Sequence, residues 1–331
     1  MRKITAKRLT AVAGLLLVVA ILGVAVLIAF GTRPAPTANS TVEAFRSVDF
    51  SSLPQMEHYR ARDGASLGYR RYGPSPSAVS APVIVLLHGA SDSGVALHML
   101  AGYLRAAGVT VYVPELRGHG DSAPTGDVRY VGQLEDDLVD FVGVLRQREG
   151  DAPLRLAGFS AGGGLAVRFA SGPHASLFAD YLLLSPGISR TAPISRPAAG
   201  ADTGVRAFAV PYVPRLIGLS IAGAVGIHAF DGLPVIAFAV PANSPILTRT
   251  YSMRLLLSLF PQDYRRAIAG LHAPTTVIIG DADEFSVAAE LARAFHSGDP
   301  AAHVIVLPGI RHMDLIRKPA ALEAIRRWAT A

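Results

Sequence analysis

The chain has 331 residues, of which 50% are hydrophobic and 17% are charged, and its formal net charge at pH 7 is +6. Soluble domains are usually about 45–50% apolar and roughly 25% charged, so this composition indicates a membrane segment or a large apolar surface. The length allows one large domain or two ordinary ones and excludes a mini-protein. The absence of cysteine excludes disulfides, thiolate metal ligands and cysteine nucleophiles, but it leaves the redox compartment open.

Residues 1–31 combine a basic head with a long apolar run. The first eight residues contain four basic side chains and no acidic one, and Thr10 is the only clearly polar side chain in residues 9–30. Such a run can cross a bilayer as one helix. The apolar core of a cleaved signal peptide is normally about 7–15 residues long, so the length favours an uncleaved anchor over a cleaved signal. A buried core helix is the third interpretation.

The distribution of basic residues predicts the orientation of this span. Four basic residues precede it and only Arg33 and Arg46 follow closely, and positive residues near a span tend to remain in the cytoplasm. We therefore expect a single-pass protein of the cell membrane with its remaining chain outside the cytoplasm, or a secreted protein if the segment is cleaved. Subtracting the four leaves 27 basic against 25 acidic residues, a net of +2, which predicts no nucleic-acid surface.

The rest of the chain predicts one domain behind a linker. Residues 32–55 are rich in Pro, Ala, Thr and Ser and predict a tether, followed by a domain at 56–331. Short aliphatic runs alternate there with amphipathic runs, which is typical of a mostly parallel sheet covered by helices. The predicted strands are 58–60, 67–72, 83–87, 109–113, 154–158, 181–184, 275–280 and 303–307, and the predicted helices include 96–107 and 131–148.

One interval is too long for a simple crossover between parallel strands. Residues 187–264 separate two predicted strands where about a dozen residues would be enough. Within it, residues 216–230 are uncharged apart from His228, and this run is too short to span a membrane comfortably. The interval therefore predicts an inserted apolar helical cap over a binding site.

The pentapeptide Gly158-Phe159-Ser160-Ala161-Gly162 lies between a predicted strand and a predicted helix, which is the context of a nucleophile elbow. The serine of such a turn projects above the sheet. Gly158 and Gly162 must be small because strand and helix crowd together there. A helix N-cap is the alternative role for Ser160.

A serine hydroxyl needs a histidine to take its proton and an acid to orient that histidine. His312 follows the last predicted strand and Asp283 follows the strand before it, and the carboxyl ends of parallel strands converge on one crevice. The order Ser160, Asp283, His312 is the one expected for such a site. Asp281, two positions away, is the alternative acid.

His88-Gly89-Ala90 follows the predicted strand at 83–87 and supplies a candidate oxyanion site. Glycine lets the backbone approach a substrate closely, and the amides of Ala90 and Ala161 can point at a developing oxyanion. The helix that begins after Ser160 adds the positive end of its dipole. For His88 we expect a structural hydrogen bond.

With these residues, the chain from about 56 to 328 resembles the α/β-hydrolase family, and within it the group of monoacylglycerol lipases, lysophospholipases and serine aminopeptidases. The motifs that carry the resemblance are His88-Gly89, residues 115–122, residues 158–163 and the loops of Asp283 and His312. The resemblance implies an α/β-hydrolase fold and serine hydrolase chemistry.

Two residues depart from the family pattern. Glu115 stands where the family usually has Asp before its Arg-Gly-His-Gly loop, and Phe159 stands where a histidine is common. Neither position belongs to the predicted catalytic triad. Both departures leave the subfamily open.

Other chemistry has no motif in this sequence. Metal-binding His-Glu-x-x-His, phosphate-binding and dinucleotide-binding patterns are absent, so neither a cofactor nor a metal is predicted. Glu135, Asp136, Asp137 and Asp140 lie in the predicted helix 131–148, where we expect them to form a solvated face.

The sequence thus predicts a membrane-anchored serine hydrolase of carboxylic esters, acting on monoacylglycerols, lysophospholipids or other apolar esters. An amidase or aminopeptidase is the nearest alternative. Aminopeptidases usually need an acid in the cap, and Asp231 is the only acid between residues 203 and 262. A non-catalytic membrane protein that retains the scaffold is the second alternative.

Overall fold

The computed structural model describes residues 2–36, 48–73, 82–189, 193–196, 208–241, 244 and 246–331, and for residues 2–7 the backbone alone. The strands are β1 Glu57–Arg60, β2 Ser66–Tyr72, β3 Val83–Leu87, β4 Thr110–Pro114, β5 Leu154–Phe159, β6 Tyr181–Leu184, β7 Ala209–Pro211, β8 Pro234–Phe238, β9 Thr250–Ser252, β10 Thr275–Gly280 and β11 His303–Leu307. The helices are α1 Arg2–Phe30, α2 His98–Ala106, α3 Gln133–Glu149, α4 Ala161–Ala170, α5 Val213–Ala224, α6 Met253–Leu259, α7 Tyr264–Ala269, α8 Ala288–Gly298 and α9 Pro319–Thr330.

Eight of the described strands form the central sheet, in the order β1-β2-β4-β3-β5-β6-β10-β11. The β1–β2 and β2–β4 pairs are antiparallel, and the other pairs are parallel. Every residue of β3, β4 and β6 is buried, as expected for strands covered by helices on both faces. The predicted strands and the mostly parallel sheet are confirmed, with differences of one residue at the strand ends.

Helix α3 shows how one covering helix is specified by its sequence. Leu134, Leu138, Phe141 and Leu145 are all buried and recur every three or four residues, so they form one apolar face. Phe141 packs 4.9 Å from the ring of Tyr59 on β1. Burial of each such side chain contributes about 1.5–3 kcal/mol.

The cap contains a small antiparallel sheet, β7-β8-β9, beside helix α5, so the prediction of a helical cap is wrong in this respect. Short apolar runs such as 234–238 have the same pattern in a buried strand as in a buried helix, and pairing with neighbouring strands decides between them. Residues 190–192, 197–207, 242–243 and 245 of the predicted cap lie outside the described residues.

The predicted linker is only partly described, because residues 37–47 lie outside the described ranges. Its carboxyl-terminal part packs on the domain. Phe50 lies 5.8 Å from the His98 ring, and both Phe50 and Leu53 line a cavity that Ser160 also lines. This end of the linker therefore forms part of the cavity wall.

Helix α1 contains the predicted span. Arg8–Phe30 is long and apolar enough to cross a membrane, and it is the only such helix among the described residues. This finding concerns length and composition, which a signal sequence would also satisfy.

Candidate active site

Ser160 lies in a strained turn between β5 and α4. Its backbone has φ 55° and ψ −116°, in the left-handed region that non-glycine residues rarely adopt. The Ser160 amide donates to the Leu184 carbonyl at 2.9 Å, and the Ser160 carbonyl accepts from the Gly187 amide at 2.8 Å. Hydrogen bonds on both sides therefore fix the strained conformation.

The glycines around Ser160 are required by the close approach of strand and helix. A Cβ on Gly162 would lie 2.5 Å from the His88 carbonyl oxygen, and one on Gly158 would lie 2.7 Å from the Gly163 nitrogen. Real Cβ atoms do not approach other heavy atoms this closely, so only glycine fits. The expected crowding at the elbow is confirmed.

Asp283 and His312 are brought together by the loops that follow β10 and β11. Nδ1 of His312 donates to Oδ2 of Asp283 at 2.7 Å. The imidazole packs between two aromatic rings, with centroids 4.9 Å from Phe159 and 4.7 Å from Phe285. Phe159, one of the two departures from the family pattern, therefore contacts the candidate base.

The carboxylate of Asp283 is buried and accepts several hydrogen bonds. Oδ2 also accepts from the Ser185 hydroxyl at 2.6 Å, and Oδ1 accepts from the amides of Phe285 and Ser286, both at 2.8 Å. Burial alone would raise the pKa of Asp283, but these donors and His312 outweigh burial and lower it. The ionised carboxylate requires a proton on Nδ1 of His312, which leaves Nε2 as an acceptor.

Asp281, the alternative acid, has a different environment. Its side chain is exposed, and Oδ1 accepts from the Gly309 amide at 2.7 Å. This bond closes the turn before His312. The structure therefore brings Asp283, and not Asp281, to the imidazole.

Ser160 and His312 line the same cavity of about 650 Å³. Among the described residues, Ser160 has no hydrogen bond to His312, and such bonds often form only when substrate is present. Most of the wall is apolar. Its larger apolar side chains are Phe50, Leu53, Val95, Phe159, Phe208, Ile236, Phe238, Val240, Ile246, Leu247, Leu256, Phe260, Phe285 and Met313.

Residues of the candidate oxyanion site lie next to Ser160. A Cβ on Gly89 would be 3.3 Å from Cβ of Ser160, and Ala90 lines the cavity. Ala161 is the first residue of α4, and the first amides of a helix have no partner inside it. Ala90 and Ala161, which the sequence singled out, therefore both lie close to the candidate nucleophile.

Two buried histidines have structural hydrogen bonds. Nε2 of His88 accepts from the Leu116 amide at 3.1 Å, and Nδ1 donates to the Gly89 carbonyl at 3.0 Å. Burial lowers the pKa of His88. Burial, and next the neighbouring His88, lowers the pKa of His119 to about 3. Both rings are therefore neutral at physiological pH, and the structural role predicted for His88 is confirmed.

Tyr251 is a residue that sequence reasoning missed. Its hydroxyl lies 2.5 Å from Nε2 of His119 and also accepts from the Ser91 amide. Because Nδ1 of His119 faces two carbonyls, the tyrosine donates to Nε2. Tyr251 belongs to β9 of the cap, so it connects the cap to the loop beside the candidate oxyanion site. No local pattern marked it.

The second departure, Glu115, organises a polar patch at one side of the cavity. Its buried carboxylate accepts from Nη1 of Arg70 at 2.8 Å and from the Gly94 amide at 3.0 Å. Arg70 lines the cavity, as does Asp92. Burial raises the pKa of Asp92 to about 7, and the nearby Glu115 contributes to the rise. Arg70 and Asp92 are the only Asp, Glu, Lys or Arg side chains among the described residues of the wall.

The expected solvated face of α3 is wrong at Asp137. This carboxylate is buried and accepts from Nε and Nη2 of Arg117 at 2.8 and 2.7 Å. Glu135 is paired with Arg168. The loop that carries Arg117 contacts this face of the helix only in the folded chain, so the helical pattern could not predict the pair.

Comparison with known proteins gives consistent matches. The family model described as serine aminopeptidase, S33, matches residues 79–316. A monoacylglycerol lipase of Mycolicibacterium smegmatis is 28% identical over 265 residues, which cover 74% of this chain and 87% of that protein.

Two solved structures show the same fold. A monoglyceride lipase of Saccharomyces cerevisiae has a TM-score of 0.61 at 16% identity and covers 86% of this chain and 97% of its own. A membrane phospholipase A described as a bacterial virulence factor has a TM-score of 0.55 at 16% identity and covers 99% of this chain and 98% of its own. The second match includes the region of helix α1.

Proposed function

Because the chain belongs to the serine aminopeptidase (S33) family of α/β-hydrolases, we propose that it is a serine hydrolase that cleaves carboxylic esters of apolar acids. The observation that carries this proposal is the hydrogen bond from His312, which lines the same apolar cavity as the strained Ser160, to the buried carboxylate of Asp283.

The proposed reaction is acyl transfer through the serine. Nε2 of His312 takes the hydroxyl proton of Ser160 as Oγ attacks the ester carbonyl, and the Asp283 carboxylate stabilises the imidazolium. The amides of Ala90 and Ala161 donate to the oxyanion of the tetrahedral intermediate. His312 then gives its proton to the leaving alcohol, and a water molecule activated by the same base releases the acid.

The cavity supports a lipid-like substrate. Its volume of about 650 Å³ lies within the range of about 300–1,000 Å³ for small-molecule sites, and its wall is mostly aliphatic and aromatic. The relatives named monoacylglycerol lipase and phospholipase A support the same class of substrate. We propose monoacylglycerols, lysophospholipids or related apolar esters.

Amide cleavage is the second candidate, because the matching family model is described as serine aminopeptidase. Asp231, the cap acid considered for binding a substrate amine, bonds to His228 at 2.9 Å and does not line the described cavity. Asp92 does line it, but burial raises its pKa to about 7. The wall is otherwise mostly apolar, which favours uncharged esters over substrates that carry an ammonium group.

We also propose that α1 is an uncleaved single-pass anchor and that the domain lies outside the cytoplasm. The length of Arg8–Phe30, its exposed apolar side chains and the four basic residues among the first eight support this. The match to a membrane phospholipase A over 99% of the chain agrees with it.

The test of the chemistry uses an active-site probe and a matched serine variant. We expect Ser160→Ala to abolish fluorophosphonate labelling and p-nitrophenyl ester hydrolysis. Ser195→Ala serves as the control, because Ser195 lines the same cavity and its hydroxyl already donates to the Ser189 carbonyl. Labelling that persists in Ser160→Ala would refute the assignment of the nucleophile.

The test of the substrate class compares acyl chains and leaving groups. We expect kcat/KM to rise from acetyl to longer acyl esters, because the apolar wall gains contact with each added methylene. Aryl amides of the same acids should be much poorer substrates. Equal rates for acetyl and octanoyl esters would contradict the lipid preference, and faster amide hydrolysis would favour the aminopeptidase alternative.

A further inference from the structure

The outer face of the cap helix is apolar and has no described protein partner. Val213, Ile217 and Ile221 of α5 recur every four residues and are 46–48% exposed, and Val225 continues the row at 72%. We call these four residues, with Ile227 and Phe230, the cap face. His228 is the only exposed ionisable group between residues 211 and 230, because the single full charge there, Arg215, is buried.

The opposite side of α5 packs on the end of helix α1. Between residues 8 and 31, Val24, Leu27, Ile28 and Gly31 are at least partly buried while the others are exposed. This spacing marks one helix face. A Cβ on Gly218 of α5 would lie 2.8 Å from Cγ1 of Ile28, so the two helices approach more closely than larger residues would permit.

Arg215 fixes this contact through backbone atoms. Its Nε donates to the Ile28 carbonyl at 2.7 Å and Nη2 donates to the Ala29 carbonyl at 3.2 Å. Nη1 donates to the Pro234 carbonyl of β8 at 2.9 Å. The last carbonyls of a helix have no partner inside it and carry its negative dipole end, so a guanidinium there is favourable. One side chain thus connects the helix end to the cap sheet.

The position of this contact determines the depth of the cap. Val24 to Phe30 are the last seven residues of the apolar run, which at 1.5 Å per residue is about the last 10 Å of the span. Helix α5 therefore lies beside the span and not beyond it. If α1 crosses a bilayer, α5 lies at the boundary between headgroups and acyl chains.

We propose that the cap face is buried in the lipid layer on the domain's side of the membrane, with lipid as its occupant. The inference rests on the proposed membrane anchor, helix α1, and it places the cap at a fixed depth in the bilayer. Exposed apolar side chains lie both on α1 and on the cap face, and interfacial helices bury such a face about 5–10 Å deep.

If the cap face lies in lipid, the cap sheet brings the cavity that contains Ser160 close to the membrane. Strand β7 leads directly into α5, and Ala209 of β7 and Ile236 of the paired β8 line the cavity that contains Ser160. A lipid substrate would reach Ser160 beside the cap sheet without crossing water. The protein would therefore hydrolyse lipids of the same membrane in which α1 anchors it.

The test uses site-specific labels, for which the chain has no competing cysteine. The full-length protein is reconstituted in phosphatidylcholine vesicles with an NBD label on Ile217→Cys or Ile221→Cys. Leu17→Cys, 62% exposed on α1, is the control within the span, and Val306→Cys, 43% exposed on β11, is the control outside the cap. Quenching is measured with doxyl-labelled lipid and with aqueous iodide.

We expect labels at positions 217, 221 and 17 to be quenched by doxyl lipid and protected from iodide, with the opposite result at 306. If positions 217 and 221 behave like 306 while 17 is quenched by lipid, the anchor stands and the lipid-buried cap face is refuted. If position 17 is quenched by iodide, the anchor fails and the lipid-buried cap face fails with it. The Ser160 test remains independent of both outcomes.

A second measurement tests the connection through Arg215. Arg215→Gln should reduce lipid quenching at Ile221→Cys at least twofold and lower hydrolysis of a vesicle-embedded long-chain ester at least fivefold more than that of a soluble short ester. Arg215→Lys retains one donor for these carbonyls and should recover part of both signals. Equal losses on the two substrates, with unchanged quenching, would refute the role of Arg215.

Discussion

Replacement of Asp283 by asparagine isolates the effect of the buried carboxylate on His312. The two backbone amides of Phe285 and Ser286 bind Oδ1, so the asparagine carbonyl is expected to keep that place. Its NH₂ group then replaces Oδ2 and faces Nδ1 of His312 and the Ser185 hydroxyl. The imidazole must turn Nδ1 into an acceptor and carry its proton on Nε2, where it cannot accept the serine proton.

The expected loss follows from that change of tautomer. We expect kcat for a p-nitrophenyl ester to fall about 10⁴-fold, which corresponds to about 5 kcal/mol of transition-state stabilisation. The fold should persist because asparagine has the same shape as aspartate. Circular dichroism and the rate of fluorophosphonate labelling, measured on the same preparation, separate misfolding from loss of the base.

Asp281→Asn is the matched control, because it makes the same chemical change two residues away at an exposed side chain that bonds only the Gly309 amide in the described structure. We expect kcat to change less than threefold. The reasoning would be refuted if Asp283→Asn kept activity within tenfold of the parent protein, or if the two variants lost activity equally.

Three further predictions concern stability. Folding raises the pKa of Asp92 from 3.8 to about 7, so the contribution of this carboxyl to the free energy of unfolding is most favourable below pH 4 and falls by up to ~4 kcal/mol as the pH rises through 7. Asp92→Asn should remove this pH dependence. The prediction would be contradicted if urea unfolding at pH 5 and pH 8 showed the same pH dependence for the variant and the parent protein. Gly162→Ala should lower the free energy of unfolding by about 1–3 kcal/mol, because the new Cβ would overlap two carbonyl oxygens. Gly143→Ala in α3 is the control: its Cβ would have open space, and the variant should gain about 0.5–1 kcal/mol. Equal unfolding free energies for the two variants would refute the predicted crowding at Gly162. Tyr251→Phe removes the hydroxyl that bonds the buried His119 nitrogen and the Ser91 amide, and it should lower the free energy of unfolding by about 1–3 kcal/mol. Calorimetry measures this loss, and an unchanged stability would show that water replaces the hydroxyl.

Local features of the sequence were enough to locate the sheet and the candidate nucleophile. The strands of the core are buried on both faces, so they appear as short aliphatic runs whose limits match the structure within one residue. The constraint on Gly158 is also local, because its Cβ would meet the helix that immediately follows the strand, whereas Gly162 is crowded by Leu87 and His88 at the end of β3. The strand pattern and the Gly158 constraint depend on neighbours in the chain, which a single sequence displays.

Other features depended on residues distant in the chain, and only the tertiary structure decided them. The sequence left Asp281 and Asp283 as alternatives, and the turn that directs one carboxylate to His312 selected Asp283. Tyr251 on His119 joins residues 132 positions apart, and the Arg215 contact with Ile28 joins residues 187 apart. The sequence by itself determined which segments are apolar enough to span a membrane or to cover a binding site. Folding decided which surfaces meet, because hydrogen bonds and close contacts between distant segments leave no periodic pattern in either segment.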